Sequence, residues 1–206
     1  MKPDLGKTKR PLNNRKSAGK GLLSTPGARD SVAPSDVPPS AVPWRVGIGN
    51  DLHRLADGRK LILGGVHVPF AKGPVGHSDG DVLAHAICDA LLGAAGLGDI
   101  GRHFPNTSPQ WKAAPSLVFL RSVRQLLDDA RYTIVNVDAT VGLERPKLAP
   151  HIRSMEKNVA AALALKPAQV SVKAKTGEGL DAVGRGEAIR ADAVTLIQAR
   201  HESAGR

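Results

Sequence analysis

The chain has 206 residues, of which 23% are charged and 3% are aromatic, and its formal net charge is +10. It has no run of about 18 apolar residues, so we expect no membrane-spanning helix. Its single cysteine, Cys88, cannot form an internal disulfide, and we interpret it as a small buried residue. The positive charge suits a phosphorylated substrate or nucleic acid, but the low aromatic content leaves little for base stacking.

Residues 1–44 are rich in Lys, Arg, Ser, Pro and Gly and have no apolar periodicity. They contain eight basic and three acidic side chains, which is half of the net charge. Because such a segment cannot bury enough apolar surface to offset its ordering entropy, we predict a disordered basic tail. We predict a folded domain over residues 45–200 and a short tail over residues 201–206.

The function of the basic tail stays open at this point. A solvated extension without a partner is the simpler interpretation, and a nucleic-acid-binding module is the alternative. The three aspartates of the tail argue against an organelle transit peptide. We therefore expect the cytoplasm if the source is bacterial, and a plastid-type organelle only if the tail is a transit peptide.

Glycine-punctuated apolar segments begin after the tail. RVGIGNDLHRL, residues 45–55, predicts a short strand over residues 45–48 that breaks at its two glycines. KLILGGVHVPF predicts two short strands joined at Gly64 and Gly65. HSDGDVLAHAICDALLGAAGLGD predicts a helix with Ser78 or Asp79 as a possible N-cap, ending at the glycines Gly96 and Gly98.

The second half of the domain alternates helices and strands. PSLVFLRSVRQLLDDA predicts a helix that starts near Pro115, and APHIRSMEKNVAAALAL predicts another that stops before Pro167. YTIVNVDATVGL and AQVSVKAKTGEG predict strands because they are rich in β-branched residues. EAIRADAVTLIQAR is compatible with a helix or a strand. The fold class is therefore α+β, a mixed β-sheet with helices on one face.

Several aspartates and histidines are spaced so that they can act together. Asp51 and His53 are two apart on an extended chain and point to the same side. Asp81, His85 and Asp89 share one face of a helix. A histidine in an alanine-rich helix is more often a buried core residue than a ligand, and the Asp51–His53 pair could belong to a loop hydrogen-bond network. Together, two imidazoles and a carboxylate match a catalytic zinc site, although spacing does not decide whether the two elements meet.

A second cluster lies in KAKTGEGLDAVGRGEAI, which carries Lys173, Lys175, Thr176, Glu178 and Arg185 among four glycines. Glycines let backbone N–H groups approach phosphate oxygens, and the basic side chains neutralise their charge. A carboxylate such as Glu178 is repelled by phosphate unless a divalent cation bridges the two. A flexible basic loop is the alternative interpretation.

These motifs resemble those of the 2-C-methyl-D-erythritol 2,4-cyclodiphosphate synthase family of the non-mevalonate isoprenoid pathway. The most specific is GHSDGDVLAHAICDALLGAAGLGDIGRHFP, residues 76–105; RVGIGNDLHRL, LILGGVHVPF, ERPKLAPHI and VKAKTGEGLDAVGRGEAI also match. The resemblance implies intramolecular phosphoryl transfer, a phosphorus–oxygen lyase reaction. The 2-phosphate of 4-diphosphocytidyl-2-C-methyl-D-erythritol 2-phosphate attacks the β-phosphorus, and CMP leaves.

The resemblance also implies roles for individual residues. Asp51, His53 and His85 correspond to the ligands of a zinc ion, and Glu178 to the carboxylate that helps hold a second cation, magnesium or manganese. His77 and Thr176 correspond to catalytic positions that stabilise the transition state. The implied substrate-binding residues are Asp51, His53, His77, Ser78, Asp99, Ile100, Gly101, Phe104, Pro146, Lys147, Lys175, Thr176, Gly177, Glu178 and Arg185.

Family members are homotrimers whose sheets surround a central cavity and whose active sites lie between subunits, and the last segment is a strand in that fold. The chain departs from the family at Asn50, Asn106, Lys175, Gly177 and Ala182, none of which is an implied metal ligand. Two rival functions remain at this point. A metal-dependent phosphohydrolase would release inorganic phosphate, and a nucleic-acid-binding module would bind through residues 1–44 in a strongly salt-dependent way.

Overall fold

The computed structural model describes residues 43–76, 78–105, 111 and 114–200. The predicted tails therefore lie outside the described residues, apart from Pro43 and Trp44. Within the described part, the elements in chain order are β1 Trp44–Asp57, β2 Leu61–Leu63, β3 Val66–Val68, β4 Lys72–Pro74, α1 Val82–Ala95, α2 Ile100–His103, α3 Ser116–Asp129, β5 Tyr132–Gly142, α4 Ile152–Leu163, a 3₁₀ turn Pro167–Gln169, β6 Val170–Lys175 and β7 Ala188–Ala199.

Five strands form one mixed sheet in the order β4-β1-β7-β5-β6, and β2 and β3 form a separate hairpin. β5 and β6 are parallel, and the other neighbours in the large sheet are antiparallel. The hairpin turns at Gly64 and Gly65, both with positive φ, as predicted. The last segment is a strand, β7, which agrees with the family resemblance. The α+β fold class with a mixed sheet is confirmed.

The helices pack on one face of the large sheet. Buried and exposed residues alternate along β1, β5 and β7, as expected for strands with one buried face. The buried face meets α1, most of whose residues are buried, and Cys88 is buried there as predicted. The opposite face exposes large apolar side chains, namely Trp44, Val46, Ile48, Leu52 and Val194.

The prediction that β1 breaks at its glycines is wrong. β1 runs unbroken for 14 residues and pairs with β7 from Trp44 to Arg54. The glycines instead allow α1 to lie directly on the strand: a Cβ atom on Gly47 would be 1.9 Å from the carbonyl oxygen of Ala90. Asp51 and His53 therefore lie within a strand rather than beyond its end.

The start of α1 also differs from the prediction. Its N-cap is Asp81, whose carboxylate accepts a hydrogen bond from the backbone N–H of Ala84 at 3.0 Å, and neither Ser78 nor Asp79 caps it. Its end agrees with the prediction, since Gly96 adopts the left-handed conformation with φ 73°. Among the described residues, no helix is long and apolar enough to cross a membrane.

Candidate metal centre and substrate pocket

The structure brings Asp51, His53 and His85 together. Oδ2 of Asp51 lies 2.9 Å from Nδ1 of His85 and 3.1 Å from Nε2 of His53. One potential ligand atom from each side chain lies within 4.8 Å of the other two. β1 supplies two of these side chains and α1 the third, so the two predicted elements do meet.

The local folding of β1 and α1 explains this convergence. Asp51 and His53 point to the same side because side chains alternate along a strand. Their cross-strand partners in β7 are Ala191 and Ile189. Backbone pairing with β7 therefore fixes the part of β1 that carries them. His85 lies in the first turn of α1, and the small residues along the helix allow it to approach the strand closely enough for contact.

The second ring nitrogen of His53 is held by the backbone. Its Nδ1 lies 2.6 Å from the carbonyl oxygen of Val75. A carbonyl oxygen only accepts, so Nδ1 carries a proton, and in the neutral ring Nε2 presents its lone pair toward Asp51. Histidine ligands of metals are commonly oriented in this way by an acceptor on the far nitrogen.

The three side chains shift each other's protonation. Burial alone would raise the pKa of Asp51, but hydrogen bonds from His53 and His85 outweigh it and hold that pKa well below its usual range. The hydrogen bond to Asp51 raises the pKa of His53 above its ordinary value, against the opposing effect of burial. The carboxylate is therefore ionised and attracts a cation to the position between the rings.

A divalent metal ion fits this set of donors. Two imidazole nitrogens and one carboxylate oxygen are characteristic protein ligands of zinc, and three such ligands leave a coordination position for a further group. The side chains of Asp51, His53 and His85 are 21%, 20% and 14% exposed, so the candidate site is accessible from the surface.

The cluster lies in a pocket of about 280 Å³. Besides the three candidate ligands, the pocket is lined by Ser78, Ile100, Gly101, Phe104 and Phe119. The first four were singled out from the sequence and Phe119 was not. In the sequence Phe119 is one apolar position of an amphipathic helix, a pattern that does not separate a pocket wall from the core.

An aromatic cluster forms the apolar wall of the pocket. The ring centroids of Phe104 and Phe119 are 5.0 Å apart, and Trp111 lies edge-on to both at 5.2 and 5.5 Å. The ring of His85 lies 6.0 Å from that of Phe119. The wall therefore continues to the candidate metal centre.

Two aspartates of the predicted helical face have structural roles instead. Asp81 is fully buried and accepts hydrogen bonds from the N–H groups of Gly64 and Gly65 at 3.0 and 2.8 Å. Burial raises the pKa of Asp81 to about 6, against the effect of these donors. Asp89 accepts a hydrogen bond from the N–H of Ile100 at 2.7 Å, and it thereby joins α1 to the start of α2.

The short helix α2 positions the polar edge of the pocket. Asp99 caps it by accepting a hydrogen bond from the N–H of Arg102 at 2.9 Å. Ile100 and Gly101 follow directly and line the pocket. The sequence-based elements did not include α2, since four residues are too few for a periodic pattern.

The glycine-rich cluster forms the loop between β6 and β7. Within it, the hydroxyl of Thr176 donates a hydrogen bond to the carboxylate of Glu178. Glu178 has a positive φ of 51°, unusual for a residue other than glycine. The carboxylate of Glu144, which the sequence did not single out, accepts a hydrogen bond from the N–H of Gly177 at 3.1 Å.

The predicted basic residues are placed at the surface. Arg185 forms an ion pair with Glu187 at 3.1 Å, and Lys147 and Lys175 are exposed. Pro146 follows a cis peptide bond. Among the described residues, the lining of the pocket includes none of these, nor Thr176, Gly177 or Glu178. His77 and Asn106 lie outside the described residues.

The mixed α+β fold and the Asp–His–His cluster in an open pocket define an enzyme with a candidate divalent-metal site. Comparison with known proteins identifies the family. The YgbB family model matches residues 44–198. The chain belongs to this family, whose curated relatives carry the name 2-C-methyl-D-erythritol 2,4-cyclodiphosphate synthase.

Individual relatives agree with this assignment. The Syntrophomonas wolfei synthase is 55% identical over 154 residues, which cover 75% of this chain and 98% of the relative. A solved synthase in a CDP-bound form is 39% identical, with a TM-score of 0.70 over 75% of this chain and 100% of that one. A CDP complex of the Plasmodium falciparum enzyme is 35% identical, with a TM-score of 0.67 over 77% of this chain and 97% of that one.

The function of this chain is that of a cyclodiphosphate synthase in isoprenoid precursor biosynthesis. The comparisons support neither rival function, the phosphohydrolase or the nucleic-acid-binding module.

Proposed function

We propose that the chain converts 4-diphosphocytidyl-2-C-methyl-D-erythritol 2-phosphate to 2-C-methyl-D-erythritol 2,4-cyclodiphosphate and CMP. The 2-phosphate oxygen forms a bond to the β-phosphorus, and the bond from that phosphorus to the oxygen of the leaving CMP breaks. The observation that carries the proposal is the meeting of Asp51, His53 and His85 in a pocket of a chain that belongs to the synthase family. The CDP complexes of the solved relatives support a cytidine-diphosphate substrate.

The reaction requires little covalent chemistry from the protein. The substrate carries both its nucleophile and its leaving group, so catalysis depends on positioning and on stabilising charge. In our proposal Asp51, His53 and His85 hold a zinc ion, which when bound polarises a phosphoryl group as a Lewis acid. Ser78, Asp99, Ile100, Gly101 and Phe104 bind the methylerythritol phosphate part, and the apolar wall at Phe104 excludes water that would otherwise compete.

A second group of residues acts on the diphosphate and the cytidine. We assign Glu178 to a second cation, magnesium or manganese, and Thr176 together with His77 to stabilisation of the transition state. The hydrogen bond between Thr176 and Glu178 supports a shared role. The remaining substrate contacts in this group are Pro146, Lys147, Lys175, Gly177 and Arg185.

We propose that the active site is completed in a homotrimer. Within one chain the described lining of the pocket does not include Pro146, Lys147, Lys175, Thr176, Gly177, Glu178 or Arg185, as expected if a neighbouring subunit supplies them. The sheet face opposite the helices also exposes apolar side chains: Val46 is 68%, Ile48 74% and Leu52 62% exposed. Packing three such faces around a central cavity would remove this apolar surface from water.

The domain limits and the compartment belong to the same proposal. Residues 45–200 form the synthase domain, and residues 1–44 and 201–206 are tails outside it. The enzyme acts in the cytoplasm if its source is bacterial, or in a plastid-type organelle if residues 1–44 are a transit peptide.

Phosphorus NMR of the purified chain with the cytidine-diphosphate substrate and magnesium tests the proposed reaction. We expect a cyclic diphosphate to appear in step with CMP, and no inorganic phosphate. Release of inorganic phosphate would instead support the phosphohydrolase. His85→Ala is the matched variant: it should lose both zinc and turnover while the oligomeric state, measured by light scattering, stays the same. Full turnover of this variant without bound zinc would contradict the metal assignment.

A further inference from the structure

The two candidate histidine ligands are held in different ways. His53 is oriented by a backbone carbonyl group, whereas among the described residues the hydrogen-bond partners of the far nitrogen of His85 are side-chain hydroxyl groups. Nε2 of His85 lies 3.0 Å from Oγ of Ser116 and 3.2 Å from Oγ of Ser78. A hydroxyl can donate or accept, so its own partners decide which nitrogen of His85 carries the proton.

Asp79 determines the direction of the hydrogen bond at Ser116. The Asp79 carboxylate accepts hydrogen bonds from the Ser116 hydroxyl and, at 2.9 Å, from the Ser116 backbone N–H. A hydroxyl has one proton, and an ionised carboxylate can only accept. The Ser116 proton is thus committed to Asp79, and its oxygen accepts from Nε2–H of His85.

The direction of the Ser116–His85 hydrogen bond determines the state of the other ring nitrogen of His85, Nδ1. With Nε2 protonated, the neutral ring of His85 presents the lone pair of Nδ1 to Oδ2 of Asp51, 2.9 Å away. Two acceptors at that distance repel each other unless a proton or a metal cation lies between them. The Nε2 lone pair of His53 is turned to the same oxygen. Three acceptors therefore converge, an arrangement that favours a metal ion.

We propose that Asp79 and Ser116 are positioning residues for the metal centre: Asp79 orients the Ser116 hydroxyl, which fixes the His85 ring and leaves Nδ1 free to bind metal. This inference rests on the proposed metal site and extends it beyond the three ligands. Neither residue touches the candidate metal position; both act through His85.

The burial and hydrogen bonds of Asp79 and Ser116 suit a rigid support for His85. Ser116 is fully buried at the first position of α3. Asp79 lies before α1, and its carboxylate also accepts from the N–H of Asp81, the α1 N-cap, at 3.2 Å. The pair thus connects α3 to the start of the helix that carries His85. Ser78 differs, since its hydroxyl oxygen accepts a long 3.3 Å hydrogen bond from the N–H of Gly80, and no carboxylate of the described residues accepts its proton.

Zinc affinity of the metal-free protein, measured by competition with a chromophoric chelator, tests the proposal without using activity. Removing an outer partner of a metal-bound histidine typically costs about 10- to 100-fold in affinity. We expect Ser116→Ala to lose affinity in that range. Ser78→Ala should change it by less than about threefold, because Ser78 is not oriented by a carboxylate. Ser122→Ala, in the same helix, is the control for loss of a hydroxyl from α3 and should leave affinity unchanged.

Nitrogen-15 NMR of histidine-labelled wild-type protein loaded with zinc provides a second readout, which needs no variant to fold. We expect His85 to show a protonated Nε2 and a metal-bound Nδ1. Asp79→Asn supplies an amide that can donate to Ser116, so this variant should show a mixture of His85 tautomers when metal-free.

The outcomes separate this inference from the proposed metal site. If wild-type protein binds no zinc, the metal site itself is wrong. If wild-type protein binds zinc but Ser116→Ala binds it equally well, or if Nε2 of His85 is the metal-bound atom, the metal site stands and the positioning role is overturned.

Discussion

The backbone of Gly49 in β1 is in direct contact with Ala86 in α1: a Cβ atom on Gly49 would lie 2.1 Å from the Ala86 carbonyl oxygen. That separation is far inside van der Waals contact, and the obstructing atom is backbone that cannot rotate away. Gly49→Ala must therefore push α1 from the strand that carries Asp51 and His53. We expect a loss of about 1–3 kcal/mol in the free energy of unfolding, measured with urea, because the core is overpacked.

The same displacement should separate His85 from the other two candidate ligands and weaken zinc binding. Gly93→Ala is the matched control, because the nearest atom to its added Cβ would be 4.0 Å away. Gly93 lies within α1, so alanine there should be neutral or stabilise by up to about 1 kcal/mol. Equal stability and zinc affinity for Gly49→Ala and wild type would disprove the close-contact argument.

The glycines of β1 also show where sequence reasoning fails. Their local propensity predicts a break, but tertiary packing against the alanine-rich face of α1 keeps the strand intact. The shared side of Asp51 and His53 was predictable, because it depends only on the two-residue period of a strand. Their meeting with His85 was not, because it depends on a helix–strand approach that no local pattern encodes.

The residues that orient the two histidines were still less predictable from the sequence. Ser116 follows His85 by 31 residues, and Val75 follows His53 by 22. Neither carries a local signal, since a serine at a helix start and a valine before a glycine have ordinary structural uses. The Asp81 cap shows the converse: its spacing grouped it with His85, but its carboxylate is committed to the hairpin turn.

That commitment of Asp81 leads to a stability prediction. Its Oδ1 accepts from the N–H groups of Gly64 and Ala84, and its Oδ2 accepts from Gly65. Asp81→Asn replaces one acceptor by an NH₂ group, which leaves a buried N–H without a partner. We expect a loss of about 1–3 kcal/mol in the free energy of unfolding by urea denaturation. Asp57→Asn, exposed at the end of β1, should stay within about 0.5 kcal/mol of wild type; equal effects of the two changes would refute the role of the cap.

The assignment of Glu178 to the second cation is tested by the magnesium dependence of turnover. Glu178→Gln keeps the size of the side chain and an oxygen that can accept from Thr176, but it removes the charge that attracts a cation. We expect the magnesium concentration for half-maximal turnover to rise by at least about tenfold, as for other lost contacts around a metal. Zinc content should not change, because Glu178 is not among the three candidate zinc ligands. Superimposable magnesium titration curves for variant and wild type would remove Glu178 from the cation site.

Zinc binding should weaken as the pH falls, and the change should begin above pH 6.5. Nε2 of His53 must lose its proton before it can bind metal, and the hydrogen bond to Asp51 raises the pKa of His53 above its ordinary value of 6.5. The pKa of Asp51 is shifted below its ordinary value of 3.8, so that carboxylate is already ionised in this range. Proton competition at His53 should therefore reduce apparent zinc affinity by about tenfold for each pH unit below its folded pKa.

In the metal-free protein, the contribution of His53 to stability changes with pH in the opposite direction to zinc affinity. The raised pKa of His53 contributes stability that is fully present below pH 6.5 and is lost as the pH rises through its folded pKa. Zinc should consequently raise the Tm most at about pH 8 and least at about pH 5, where protons occupy the same site. Thermal melts with zinc and with a chelator across this range measure the difference. A zinc-induced Tm increase that is constant with pH would show that zinc does not displace the His53 proton and would exclude His53 as a ligand.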